Sequence, residues 1–112
     1  MEERIPCKPI VVSDKFETHR ADIYDYSVDT FGINQAERYY QKIVDAVDTL
    51  SNFYLVYPEC RHIETKSSIY RNIILDSHLI LYRITKERIE VLDILHQASS
   101  INKIRNIRKI RI

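Results

Sequence analysis

The chain has 112 residues, which is enough for one domain with a real core and too few for two. Hydrophobic residues make up 45% and charged residues 29% of it, a balance that excludes an intrinsically disordered chain. No apolar run is long enough for a membrane span or a secretory leader, so we expect a cytoplasmic protein without membrane contact. Cys7 and Cys60 are therefore expected to be reduced, and no metal-ligand spacing surrounds them.

The charges are unevenly distributed along the chain. Residues 1–56 carry 6 Lys and Arg against 10 Asp and Glu, whereas residues 57–112 carry 11 against 6. The first half is therefore net −4 and the second half net +5. Such asymmetry favours an anionic partner, either a nucleic acid or an acidic protein, for the second half.

The N-terminal part of the chain predicts one short strand followed by a helix. The strand is expected at residues 10–12. Asp14 with Glu17 three residues later has the pattern of an N-terminal cap, so the helix should begin there and run to about Thr30. Gly32 is the only glycine and stands where a helix C-terminus favours a residue with positive φ.

A second helix should follow after a connection of only a few residues. Asn34 and Glu37 repeat the capping pattern at its start. Its apolar residues recur at spacings of four and three: Ala36, Tyr40, Ile43, Val47 and Leu50. The short connection predicts that the two helices form an antiparallel hairpin.

Residues 51–68 lose this periodicity and are predicted to form a loop. Three β-branched runs then occupy residues 69–96, separated by short polar breaks at residues 76–77 and 86–87. This pattern is typical of a three-stranded antiparallel meander. We therefore predict an α+β fold in a single domain of residues 1–112, with the helical hairpin packed on a mainly antiparallel four-stranded sheet and a core within residues 9–96.

Residues 97–112 form a basic C-terminal segment, because no acidic side chain follows Asp93. Its isoleucines recur every three residues, at Ile101, Ile104, Ile107 and Ile110. A last helix capped by Ser99 or Ser100 could dock this apolar stripe and expose the cations. Alternatively, the segment stays flexible until a partner orders it.

The sequence contains no nucleophile elbow, phosphate-binding loop, HExxH or paired-carboxylate motif. Polar residues that emerge from the predicted sheet are the remaining candidates for chemistry: Arg71, Arg83, Glu90, Asp93 and His96. A histidine can act as general acid or base near neutral pH, and arginines can hold a phosphodiester.

The register of the sheet decides which of these candidates can cooperate. If residues 76–77 form a two-residue turn, Leu75 pairs with His78, and Arg71 and His96 lie on opposite faces. If the loop is one residue longer, four candidates share one face: Arg71, Arg83, Glu90 and His96. We favour the longer loop because it gathers a core-facing set of Ile80, Tyr82, Ile84, Ile89, Val91 and Leu95, with Asp93 as a misfit that needs a partner.

The order of strand, helical hairpin and meander resembles the RelE/ParE superfamily of bacterial toxins from type II toxin-antitoxin systems. The resemblance covers residues of about 10 to 105. Six pieces of sequence carry it: Ile23-x-x-Tyr26, Ala36-x-x-x-Tyr40, Pro58, Tyr70-Arg71, the run from Leu81 to Ile84, and above all the run from Val91 to His96.

The superfamily has two branches with different targets. The RelE-like branch cleaves messenger RNA on the ribosome; Arg71 fits its basic pattern, but Leu79 and Ser99 stand where further basic residues are expected. The ParE-like branch poisons DNA gyrase by binding it, and the end of its fourth strand resembles residues 94–96 here. The resemblance therefore favours a ParE-like toxin, with an mRNA endonuclease or a degenerate member that only binds antitoxin as alternatives.

The resemblance also implies partners and candidate site residues. A cognate antitoxin should neutralise the toxin, and the target should be DNA gyrase or ribosome-bound mRNA, with no cofactor or metal. His96 and Arg71 would be catalytic only in an endoribonuclease. Four cations are candidates for target or RNA binding: Arg83, Lys103, Arg105 and Arg108.

Overall fold

The computed structural model describes residues 5–112. Its elements follow the predicted order: β1 (Ile10–Val12), α1 (Asp14–Phe31), α2 (Ile33–Phe53), β2 (Tyr70–Ile74), β3 (His78–Ile84), β4 (Ile89–His96), α3 (Ile101–Arg105) and a 3-10 turn (Asn106–Lys109). The sheet order is β1-β4-β3-β2, with β1 parallel to β4 and the other pairs antiparallel. The α+β prediction is confirmed. Within residues 5–112, no helix is both long and apolar enough to cross a membrane.

The N-terminal caps of the first two helices differ from the predicted caps by one and two residues. Ser13, rather than Asp14, caps α1, because its hydroxyl accepts from the Phe16 N–H at 2.9 Å. Gly32 has φ +89° and ψ 164°, and it is both the C-cap of α1 and the N-cap of α2. Since a glycine tolerates this positive φ, the chain reverses in a single residue, and α2 begins at Ile33 without the predicted Asn34 cap.

The sheet is covered on both faces. On the hairpin face, which α1 and α2 cover, the core contains Phe16, Ile43, Leu50, Tyr54, Ile73, Ile80, Tyr82, Ile89, Val91 and Ile94. On the opposite tail face, the core contains Cys60, Ile63, Leu81, Leu92, Leu95, Ile104 and Ile107. Because neighbouring strand residues point to opposite faces, Leu81 belongs to the second cluster although Ile80 and Tyr82 belong to the first.

The C-terminal segment is therefore a docked structural element rather than a flexible tail. Ser100 caps α3 by accepting from the Lys103 N–H, as one of the two predicted caps. Ile104 and Ile107 are buried against the tail face, and Ile110 packs partly against it. The same packing corrects the predicted place of Leu95, which lies on the tail face instead of the hairpin face.

The favoured register of the meander was wrong. Leu75 N–H donates to the His78 carbonyl at 2.9 Å, so residues 76–77 form the shorter, two-residue turn, and Arg71 pairs with Tyr82. A β-bulge between β3 and β4 then shifts the pairing by one residue, since Tyr82 pairs with Val91 but Leu81 pairs with Asp93. The predicted misfit Asp93 has a partner, the His19 ring on α1, at 2.6 Å.

Candidate functional site

Arg71 holds the long loop that precedes β2. Its Nε donates to the Ser68 carbonyl at 3.0 Å, and its Nη1 donates to the Leu55 and Tyr57 carbonyls at 3.1 and 2.8 Å. An isolated bridge between Glu59 and Arg71 adds backbone pairing at the same place. These contacts explain how a segment without periodic sequence acquires one conformation, and they give Arg71 a structural role.

His96 lies at the exposed end of β4, where it contacts a second histidine. Its Nδ1 accepts from the Ala98 N–H at 3.0 Å, and its ring meets the His78 ring edge-on, with the centroids 5.6 Å apart. His78 Nδ1 is in turn hydrogen-bonded to the Tyr39 hydroxyl at 2.7 Å. Burial, together with the neighbouring His96, lowers the pKa of His78, so this imidazole is neutral near pH 7.

This histidine pair borders a groove of about 890 Å³ between the hairpin and the β2–β3 turn. Tyr26 and Phe31 line its helical side and are 65% and 57% exposed. The sequence reasoning missed His78 and Tyr39 as neighbours of His96. Only the cross-strand pairing of His78 with His96 brings them together, and that pairing depends on the bulge.

The two candidate catalytic residues are not brought together. Arg71 pairs with Tyr82 and His96 pairs with His78, so their partners on β3 are four residues apart. At about 3.3 Å per residue, this places them about 13 Å apart along the strand direction, with β3 between them. A single phosphodiester cannot contact both side chains.

Arg83 belongs to a buried ionic cluster on the tail face. Glu90 is 7% exposed and accepts from Arg83 Nη2 at 2.6 Å and from Arg88 Nη2 at 2.8 Å. Burial alone would raise the pKa of the Glu90 carboxyl, but the hydrogen bonds from the two arginines outweigh it and hold that pKa below its usual value. Arg83 is therefore an ion-paired structural cation, not a free one.

The same arginines fasten the C-terminal segment. Arg83 donates to the carbonyls of Arg108 and Ile110 at 3.4 and 3.2 Å, and Arg88 donates to the Ile112 carbonyl at 3.3 Å. The ionic cluster thus holds the C-terminal end of the segment, and the buried Ile104 and Ile107 hold its middle.

The remaining predicted cations lie on the solvent side of this segment. Lys103, Arg105 and Arg108 are all exposed, while the isoleucines between them face the sheet. Arg105 Nε also donates to the His62 carbonyl at 3.2 Å, which links the segment to the loop before β2. Of the six predicted site residues, the structure therefore groups only Arg83 and these three cations, all on the tail face.

The two covers of the sheet carry opposite charge. The hairpin helices contain eight Asp and Glu against four Lys and Arg. Residues 97–112 contain five Lys and Arg and no acidic side chain. Because these elements lie on opposite faces, the charge asymmetry of the sequence becomes a spatial separation of charge across the sheet.

Comparison with known proteins places this architecture in a family. Residues 10–101 match the family described as ParE toxin of type II toxin-antitoxin system, parDE. The chain is 29% identical over 94 residues to Toxin ParE1 of Mycobacterium tuberculosis, in strains CDC 1551 / Oshkosh and ATCC 25618 / H37Rv, a match that covers 83% of this chain and 93% of the relative.

A solved structure shares the fold. It is the chromosomal ParDE TA system from P. aeruginosa, with a TM-score of 0.67, 22% sequence identity, and coverage of 80% of this chain and 96% of that one. The family match covers most of the chain, from β1 to the start of α3. This chain therefore belongs to the ParE toxin family of type II toxin-antitoxin systems.

Proposed function

We propose that this toxin arrests growth by binding and poisoning DNA gyrase, and that a cognate antitoxin holds it inactive. Membership of the ParE family supports the toxin role and the existence of an antitoxin. The separation of Arg71 from His96 favours a mechanism by binding over one by RNA hydrolysis. An mRNA endonuclease would need both side chains at one phosphodiester, yet Arg71 is engaged by three backbone carbonyls and lies about 13 Å from His96 along the strand direction, with β3 between them.

A supercoiling assay tests the target directly. Purified toxin is titrated into DNA gyrase with relaxed plasmid and ATP, and we expect supercoiling to be lost as the toxin concentration rises. The companion measurement is cleavage of mRNA on translating ribosomes, which we expect to be absent. Cleaved message combined with unaffected supercoiling would overturn the proposal.

His96→Ala separates the binding mechanism from the catalytic one. His96 is exposed, and its side-chain hydrogen bond is to the nearby Ala98 N–H, so the substitution should leave the domain folded. If the toxin acts by binding gyrase without a catalytic histidine, the variant should still arrest growth when it is induced. A folded His96→Ala protein that no longer arrests growth would instead assign a catalytic role to this histidine.

A further inference from the structure

The exposed cations of the C-terminal segment form a rigid ridge. This basic ridge consists of Lys103, Arg105, Arg108, Lys109 and Arg111. Its backbone is held by buried Ile104 and Ile107 below and by the hydrogen bonds from Arg83 and Arg88 described above. A partner that binds the ridge does not have to order its backbone, which lowers the entropic cost of binding.

The cations of the ridge have no acidic partner among residues 5–112. The ion pairs in this part of the chain are His19–Asp93, Lys42–Asp76, Arg83–Glu90 and Arg88–Glu90. Both arginines that fasten the segment thus have Glu90 as an acidic partner, whereas the five positive charges of the ridge itself have none. The acidic hairpin covers the opposite face of the sheet. It repels an anionic partner, which is therefore directed to the ridge.

The chemistry of the ridge favours phosphates over a protein surface. Protein interfaces depend on apolar and aromatic anchors at their centre. Here the central isoleucines of the segment face inward, and only Ile101 and Ile112 at its two ends are exposed. Binding to a phosphate backbone requires no apolar anchor, because neutralising phosphates with Lys and Arg and releasing their counterions drives it.

We propose that the basic ridge binds the phosphate backbone of duplex DNA. From Lys103 to Arg111 the ridge extends over about 15 Å, from the rise per residue of helical and extended backbone. One strand of DNA presents a phosphate about every 3.4 Å along its axis, so the ridge spans about four phosphates. This contact is independent of whether gyrase is the target, and it would let the toxin contact DNA as well as an enzyme bound to that DNA.

Fluorescence anisotropy with a labelled 20-base-pair duplex tests the proposal between 50 and 200 mM salt. Four phosphate contacts predict a slope of about −3.6 for the logarithm of the association constant against the logarithm of the salt concentration, which is roughly a hundredfold loss of affinity over this range. The double variant Lys103→Gln/Lys109→Gln should make that slope shallower by about 2 and bind at least tenfold more weakly at 100 mM salt.

A matched control distinguishes the effect of the ridge cations on DNA binding from the effect of the net charge of the protein. The double variant Lys15→Gln/Arg38→Gln removes two exposed cations from the hairpin and has the same net charge as the ridge variant. We expect it to bind DNA within twofold of the original chain. Circular dichroism and the urea midpoint of each variant verify that both remain folded, as expected for exposed side chains.

Four results would overturn the proposal. They are no duplex binding at 50 mM salt, equal losses in the two double variants, tighter binding of single-stranded RNA of the same length, and equal binding of a poly-glutamate of the same charge. The last result would indicate an acidic protein segment as the partner. Gyrase inhibition is measured separately, so a toxin that binds duplex DNA but leaves supercoiling unaffected would refute the gyrase proposal and leave this one standing.

Discussion

Replacing Glu90 with glutamine keeps the size of a nearly buried side chain and removes the charge that two arginines share. Glu90 Oε1 lies 2.6 Å from Arg83 Nη2, and Oε2 lies 2.8 Å from Arg88 Nη2. After the substitution, the two guanidinium groups remain close together without a counter-ion. They are also the groups that hold the carbonyls of the C-terminal segment, so their displacement would loosen its attachment.

The expected cost follows from the exposure of the three side chains. Removing one member of a fully buried ion pair costs about 3–5 kcal/mol of the free energy of unfolding. Here the Glu90 side chain is 9% exposed, but those of Arg83 and Arg88 are 16% and 37% exposed. Solvent therefore screens part of the unpaired charge, and we expect a loss of about 2–3 kcal/mol.

Urea unfolding at neutral pH measures this loss. With an m-value of about 1.5 kcal/mol/M, the midpoint of Glu90→Gln should fall by about 1.3–2 M. Glu87→Gln is the matched control, because Glu87 is an exposed carboxylate at the turn just before β4, and its midpoint should change by less than about 0.3 M. A Glu90→Gln midpoint within that same margin would refute the reasoning.

The pH dependence provides an independent check. The pKa of the Glu90 carboxyl is lowered in the folded protein, so the unfolded chain takes up its proton first as the pH falls. The contribution of ionised Glu90 to the free energy of unfolding is therefore present above the usual carboxyl pKa of 4.5. It is lost as the pH falls from there through the folded-state pKa. In Glu90→Gln, the free energy of unfolding should lack this part of its decrease at acid pH, whereas Glu87→Gln should retain it.

Two further substitutions test the roles of polar side chains on the hairpin face. Arg71→Ala should lower the free energy of unfolding by about 2–4 kcal/mol, because three backbone carbonyls lose a charged donor; an unchanged urea midpoint would argue against the structural role. The pKa of His78 is lowered by burial and by His96, so the unfolded chain binds this proton at a higher pH than the folded one. Stability should therefore fall as the pH drops below about 6.5, and His78→Gln should remove that decrease between pH 7.5 and 5.5; the same decrease in the variant would contradict the assignment.

The sequence determined the order and type of the elements because those depend on local patterns. The apolar stripe of α2, the three β-branched runs of the meander and the isoleucine repeat of the C-terminal segment each depend on residues within a few turns or one strand. Periodicity of this kind survives in any tertiary context, and so does the compositional charge asymmetry. The hairpin and the sheet were therefore predictable, and the final helix, with Ser99 or Ser100 as its cap, was one of two alternatives that the sequence allowed.

Tertiary structure alone decided which side chains meet. A shift of one residue turns every side chain of a strand to the other face, yet it leaves the alternation of the sequence unchanged. The two-residue turn after Leu75 makes such a shift in the pairing of β2 with β3, and the bulge opposite Leu81 makes one in the pairing of β3 with β4, where it places His96 beside His78. Long-range packing likewise selected the partner of Asp93 and kept Arg71 away from His96, because those choices depend on elements distant in the chain.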